Sequence, residues 1–120
     1  MNPADPKFGD VYYASLNNID NNSVQYGVRP VLIAQNNIGN KYSPTVTVIP
    51  FTGKKKAIYM PTHIVVDDYI ECGLFYSSVL MIEQIQTISK DQLVCKIGSI
   101  PCRYYSDIGK ALSVQCPFTP

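Results

Sequence analysis

Tryptophan is absent from this 120-residue chain, and histidine occurs once, at His63. With no second histidine or cysteine at a zinc-like interval, His63 cannot belong to a common zinc-ligand pattern, and no metal site is expected. The four cysteines, Cys72, Cys95, Cys102 and Cys116, lack CxxC spacing and read as buried or half-buried free thiols of a reducing cytoplasm. Charge is also scarce, at 16% of residues and a net +1. So weak a field excludes a protein that coats double-stranded DNA or clings to a membrane; any polyanion site must be a local concentration of donors. No run approaches the ~20 apolar residues that span a bilayer. The opening "MNPADPKFGD" has no apolar segment and reads as neither secretory signal nor targeting helix. No glycine-rich phosphate loop, dinucleotide fingerprint or nucleophile elbow occurs, so no cofactor is expected.

What is there is an ordinary globular composition, 46% hydrophobic, of a length that suits a single domain over residues 1–120 around one core. Most of the first 90 residues are short β-branched or aromatic runs between turn residues, the pattern of a small barrel or strongly bent sheet. "DVYYASL", "RPVLIAQ", "TVTVIPF", "KKAIYM" and "THIVV" are predicted strands, and "NNIGN" a turn. Pro50 cannot donate to a ladder, so its strand is expected at an edge or bulged there. "SSVLMIEQIQTI" is predicted as a last, long, central strand. Ser89 and Gln92 form a capping box that predicts a short helix stopped by Gly98. Pro101 opens a C-terminal helix with Tyr104, Ile108, Ala111 and Leu112 on one face. The fold class is therefore mainly β with helices, α+β.

Two features exceed packing needs. Arg29 precedes Pro30, which holds a planar five-donor guanidinium at the mouth of a strand where a phosphate could be gripped by two bonds; a surface ion pair is the plainer use. Thr52 ends the third strand in "PFTGKKK", where Gly53 allows close approach and Lys54, Lys55 and Lys56 add positive charge; the plainer reading is a solvated hairpin tip. His63 reads as a structural residue bonded to a loop carbonyl.

The blocks "GDVYYASL", "GVRPVLIAQNNIGNKYSPTV", "PTHI" and "SVLMIEQIQTISKDQL" resemble, in order, those of the MazF/PemK toxins, the endoribonucleases of bacterial type II toxin-antitoxin systems. The resemblance implies a small SH3-like barrel of the MazF/PemK/CcdB type with a short helix and a C-terminal helix. It also implies a homodimer that cleaves single-stranded RNA at a short sequence without a metal, leaving a 2',3'-cyclic phosphate and a 5'-hydroxyl and so blocking translation. The family's catalytic arginine and threonine fall on Arg29 and Thr52. Glu83 is the carboxylate nearest the RNA-facing strand and the candidate proton acceptor. Gln84, Ser78 and Lys54 to Lys56 are the expected RNA contacts. An acidic antitoxin is the expected partner, meeting Arg29 and the lysine loop.

Three positions depart from the family pattern. Val24 stands where relatives often carry glutamate, Gln86 where they carry arginine, and Ser77 where they carry aspartate. A possible base and a phosphate-binding cation are thereby lost, which implies altered base preference or slower cutting. Two other functions fit the same fold class: a CcdB-like gyrase inhibitor, acting through C-terminal residues not seen here, and a weakened barrel that binds RNA or antitoxin without cutting.

Overall fold

The computed structural model describes residues 5–16, 27–53 and 60–118. Its strands are β1 (Asp10–Leu16), β2 (Gly27–Ile33), β3 (Thr45–Gly53), β4 (His63–Val66), β5 (Ser78–Met81), β6 (Gln86–Ser89) and β7 (Leu93–Ser99). Its α-helices are α1 (Asn37–Tyr42), α2 (Tyr69–Cys72) and α3 (Tyr105–Gln115). The strands form an antiparallel sheet in the order β4-β5-β3-β2-β1-β7, with β6 also paired to β3. This is the mainly β architecture with a short helix and a C-terminal helix that the sequence pattern predicts.

Instead of the one core expected, apolar side chains gather in two clusters. Neighbouring residues alternate between them: Val11, Leu32 and Ile49 join one, and Tyr12, Val31 and Val48 the other. Successive side chains on a strand point to opposite faces, so β1 to β3 are covered on both sides, which explains their unbroken apolar runs. The first cluster also takes Tyr104, Ile108 and Ala111, with Leu112 packed against it, as the helical face predicted. Each large side chain buried this way contributes roughly 1.5–3 kcal/mol.

β3 changes neighbours midway. Thr45 to Val48 pair with β6, and Phe51 to Gly53 with β5. Pro50 therefore lies in an interior strand, not at an edge. The Ala34 amide donates to the Thr47 carbonyl at 3.0 Å, which sets the alternation: Thr47 and Ile49 face β2, while Val48 and Pro50 face the other way. The nitrogen of Pro50 thus points into the gap between β6 and β5, where no pairing asks for a donor.

Three further expectations need correction. "SSVLMIEQIQTI" is β5 and β6 separated by a 3₁₀ turn at Ile82–Gln84, and it is followed by another strand. The capping box at Ser89 and Gln92 forms, but it opens only the 3₁₀ turn Lys90–Gln92. Leu93–Ser99 is then extended because its backbone pairs with β1, a long-range partner that overrides the local helix signal. Gly98 is not a helix stop; a Cβ there would lie 2.4 Å from the Cys72 carbonyl carbon, so its missing side chain lets α2 pack on β7. "NNIGN" enters a helix, not a turn, because the Asn36 side chain caps α1 by accepting from the Gly39 amide at 2.9 Å. Most of "KKAIYM" lies outside the described residues.

All four cysteines are free; Cys72 is buried, whereas Cys95, Cys102 and Cys116 are exposed, against the expectation of buried or half-buried thiols. Among the described residues no helix is long and apolar enough to cross a membrane.

Candidate active site

Pairing between β2 and β3 runs from Ile33–Val48 through Leu32–Ile49 to Val31–Pro50 and stops there. The cause is in the sequence. By the alternation fixed at Ala34, residue 30 turns its nitrogen towards β3, and Pro30 has no hydrogen to donate. Carrying the register two steps further sets Arg29 opposite Thr52. Where the ladder has lapsed, a recess opens, walled by Arg29 and Pro30 from β2, Thr52 and Gly53 from β3, and Phe75 and Tyr76 from the segment before β5.

Arg29 is half-buried in this wall, tied through β2 to Ala14 of β1. Thr52 is 6% exposed and paired to Val79 of β5. Both stand on strands, which hold side chains more firmly than loops do. Ser78, only 4% exposed, also lines the recess, and its hydroxyl donates to the Tyr76 carbonyl at 3.0 Å.

Glu83 and Gln84 do not line this recess. Three steps of roughly 3.3 Å along β5 carry the chain away from Ser78 before the 3₁₀ turn that holds them begins. There the Glu83 carboxylate accepts from the Thr62 hydroxyl at 2.9 Å, and its other oxygen lies 2.9 Å from His63 Nε2. His63 thus faces a carboxylate. The Gln84 carbonyl accepts from the Gln86 side chain at 3.3 Å. The Ser77 hydroxyl donates to Asp67 and, at 3.4 Å, to the Val66 carbonyl. Lys54, Lys55, Lys56 and Val24 lie outside the described residues. Among the described residues no group of three or more His, Cys, Asp or Glu could hold a metal ion.

Two wall residues escaped the sequence reading. Phe75 and Tyr76 follow the "CGL" that closes α2, and they are 84% and 61% exposed. Adjacent aromatics in a bend, with no strand or helix period to bury them, were the available signal.

A half-buried arginine and a buried threonine lining one recess at a lapsed ladder mark this as a small, bent antiparallel β protein with a polar recess between two of its strands. Residues 7–116 match the family described as PemK-like, MazF-like toxin of type II toxin-antitoxin system, and the chain belongs to that family. It is 40% identical over 109 residues to the endoribonuclease EndoA of Bacillus subtilis, covering 91% of this chain and 92% of that one. It is 38% identical over 107 residues to the endoribonuclease MazF of Staphylococcus saprophyticus, covering 89% and 88%. In three dimensions it resembles MazF from Deinococcus radiodurans, with TM-score 0.80, 14% identity and coverage of 96% and 99%. It also resembles a mycobacterial endoribonuclease solved with its cognate antitoxin, with TM-score 0.77, 23% identity and coverage of 96% and 98%.

Proposed function

We propose that this toxin cuts single-stranded RNA at the recess between β2 and β3, without a metal, by moving a ribose 2'-oxygen onto the adjacent phosphorus. The chain is an endoribonuclease of a toxin-antitoxin pair, as its identity to EndoA over nine tenths of its length supports. In the proposed step the 2'-oxygen–phosphorus bond forms and the phosphorus–5'-oxygen bond breaks. The proton leaves the 2'-hydroxyl, and the departing 5'-oxygen takes one up, giving a 2',3'-cyclic phosphate and a 5'-hydroxyl. The phosphorane between these states gains negative charge on its equatorial oxygens. Arg29 meets that charge with a fixed guanidinium, and Thr52 adds a hydroxyl donor from the opposite wall. The observation that carries the reading is that Arg29 and Thr52 line the same recess.

Glu83 is assigned a structural role, because its carboxylate serves Thr62 and His63 away from the recess. Gln84 is assigned to an RNA contact outside the recess, Lys54 to Lys56 to RNA contact through their charge, and Ser78 to shaping the recess wall. The acting species is a homodimer, as the family resemblance implies, and its compartment the cytoplasm, with which three exposed free thiols agree. The proposed partner is an antitoxin whose acidic segment lies over the recess, where Arg29 offers it a cation; a mycobacterial endoribonuclease of the same fold is solved with its cognate antitoxin.

The test is incubation of purified protein with a long single-stranded RNA in EDTA, followed by mapping of fragment ends. Discrete fragments with cyclic phosphate termini are expected. Intact RNA, or cutting only when a divalent metal is restored, would overturn the mechanism.

A further inference from the structure

Phe75 and Tyr76 place nearly bare aromatic rings beside the recess that holds Arg29 and Thr52. Scattered exposed apolar residues are normal on any surface, but two in succession at the rim of a cationic recess are a specific combination. Proteins that hold single-stranded nucleic acid join positive charge for the backbone to aromatic faces on which unpaired bases stack.

The bend that carries the rings is fixed at both ends. On one side Gly73, with φ 76°, ends α2, the Leu74 amide donates to the Tyr69 carbonyl at 2.8 Å, and the Leu74 side chain is buried. On the other side Ser77 bonds Asp67 and Ser78 bonds the Tyr76 carbonyl. The rings therefore sit on an ordered support, which reduces the entropy lost on binding. The Tyr76 ring lies over Gly53, where an added Cβ would sit in ordinary contact with it at 3.6 Å. Tyr76 is thus the inner ring, over Gly53, and the more exposed Phe75 the outer one.

We infer that Phe75 and Tyr76 form a stacking platform for the unpaired base next to the scissile phosphate, and so position the phosphodiester between Arg29 and Thr52. This rests on the recess being the cutting site. Stacking ignores most base identity but demands an unpaired base, so the platform selects single strands over duplexes.

The experiment uses a short RNA spanning a mapped cleavage site, in a cleavable form and in a form with a 2'-deoxy sugar that prevents cutting. In both, 2-aminopurine replaces the base beside the scissile phosphate. With the parental protein the fluorescence should be quenched on binding. The Phe75→Ala/Tyr76→Ala double variant should lose the quenching and show a KM about 10- to 100-fold higher, the usual consequence of losing base–aromatic stacking. Phe75→Tyr and Tyr76→Phe should restore both. An abasic nucleotide at that position should raise KM for the parental protein and leave the double variant unaffected.

Cutting with no quenching, or an unchanged KM in the double variant, overturns the platform while leaving the nuclease intact. Quenching by an Arg29→Ala/Thr52→Val variant that still cuts at the parental rate overturns the recess as the cutting site, and with it the placing of the phosphodiester, while showing that the rings hold a base. A double variant that keeps its quenching but changes its oligomeric state shows the rings to be a contact between copies, which also overturns the inference.

Discussion

Arg29 of β2 and Thr52 of β3 occupy opposed register positions, two steps beyond the last pair that the two strands form, Val31–Pro50. The cation and the hydroxyl are thus set by sheet geometry, and the space between them exists because Pro30 cannot extend the ladder.

Replacing Arg29 with Ala, or Thr52 with Val, should each lower the cleavage rate by about 100- to 1,000-fold, as removal of one donor from a developing oxyanion typically does. Thr52→Val keeps the buried shape and removes only the hydroxyl. Circular dichroism melting curves of both variants should overlay the parental curve, and initial cleavage rates under saturating RNA measure the loss.

Glu83→Gln should leave cleavage near the parental rate while lowering stability by about 1–3 kcal/mol, since it weakens a partly buried network with Thr62 and His63. Urea unfolding reads the second effect. A collapse in kcat at unchanged stability would instead make Glu83 the proton acceptor.

Two glycines at the α2–β7 contact should tolerate nothing larger. At Gly73 an added Cβ would lie 1.9 Å from the Ile97 carbonyl oxygen, in a residue with φ 76°. Gly73→Ala should cost about 2–5 kcal/mol from left-handed strain and overpacking together. Gly109, inside α3 with open space around it, is the control. Gly109→Ala should stabilise by about 0.5–1 kcal/mol through helix propensity. Thermal denaturation of the two variants should move in opposite directions.

Burial, then the nearby Glu71 and Asp68, push the Cys72 thiol up to about 11. The folded state therefore keeps this proton when the unfolded chain releases it. The contribution to stability is full below the ordinary thiol range and is lost as pH rises towards 11. Urea midpoints should fall between pH 8 and 10, and Cys72→Ala should flatten that slope even if its midpoints are lower throughout. Alkylation of the folded protein at pH 8 should modify the exposed Cys95, Cys102 and Cys116 and spare Cys72 until denaturant is added, as mass spectrometry of the adducts would show.

Local signals read correctly where the chain's own pattern decided the outcome. β1 to β3 follow from their apolar runs, and α3 from Pro101 and a one-sided apolar face that reaches Leu112. They misled where a distant partner decided. The Ser89–Gln92 box is real, yet β1 draws Leu93–Ser99 into the sheet. Pro50 announced an interrupted ladder, but only the handover of β3 from β6 to β5 shows how an interior strand accommodates it. Arg29 and Thr52, singled out through their motifs, both line the recess. Their opposition needed the β2–β3 register, and the rings of Phe75 and Tyr76 needed the bend that presents them.

The handover within β3 has a consequence for the recess. Arg29 is anchored through β2 and β1, whereas Thr52 is anchored through β5, so the two sides of the recess ride on separate rafts joined along one shared plank. The distance between guanidinium and hydroxyl is thus held jointly by two pairings that meet only in β3, and a substitution that loosens either one shifts one group and leaves the other in place.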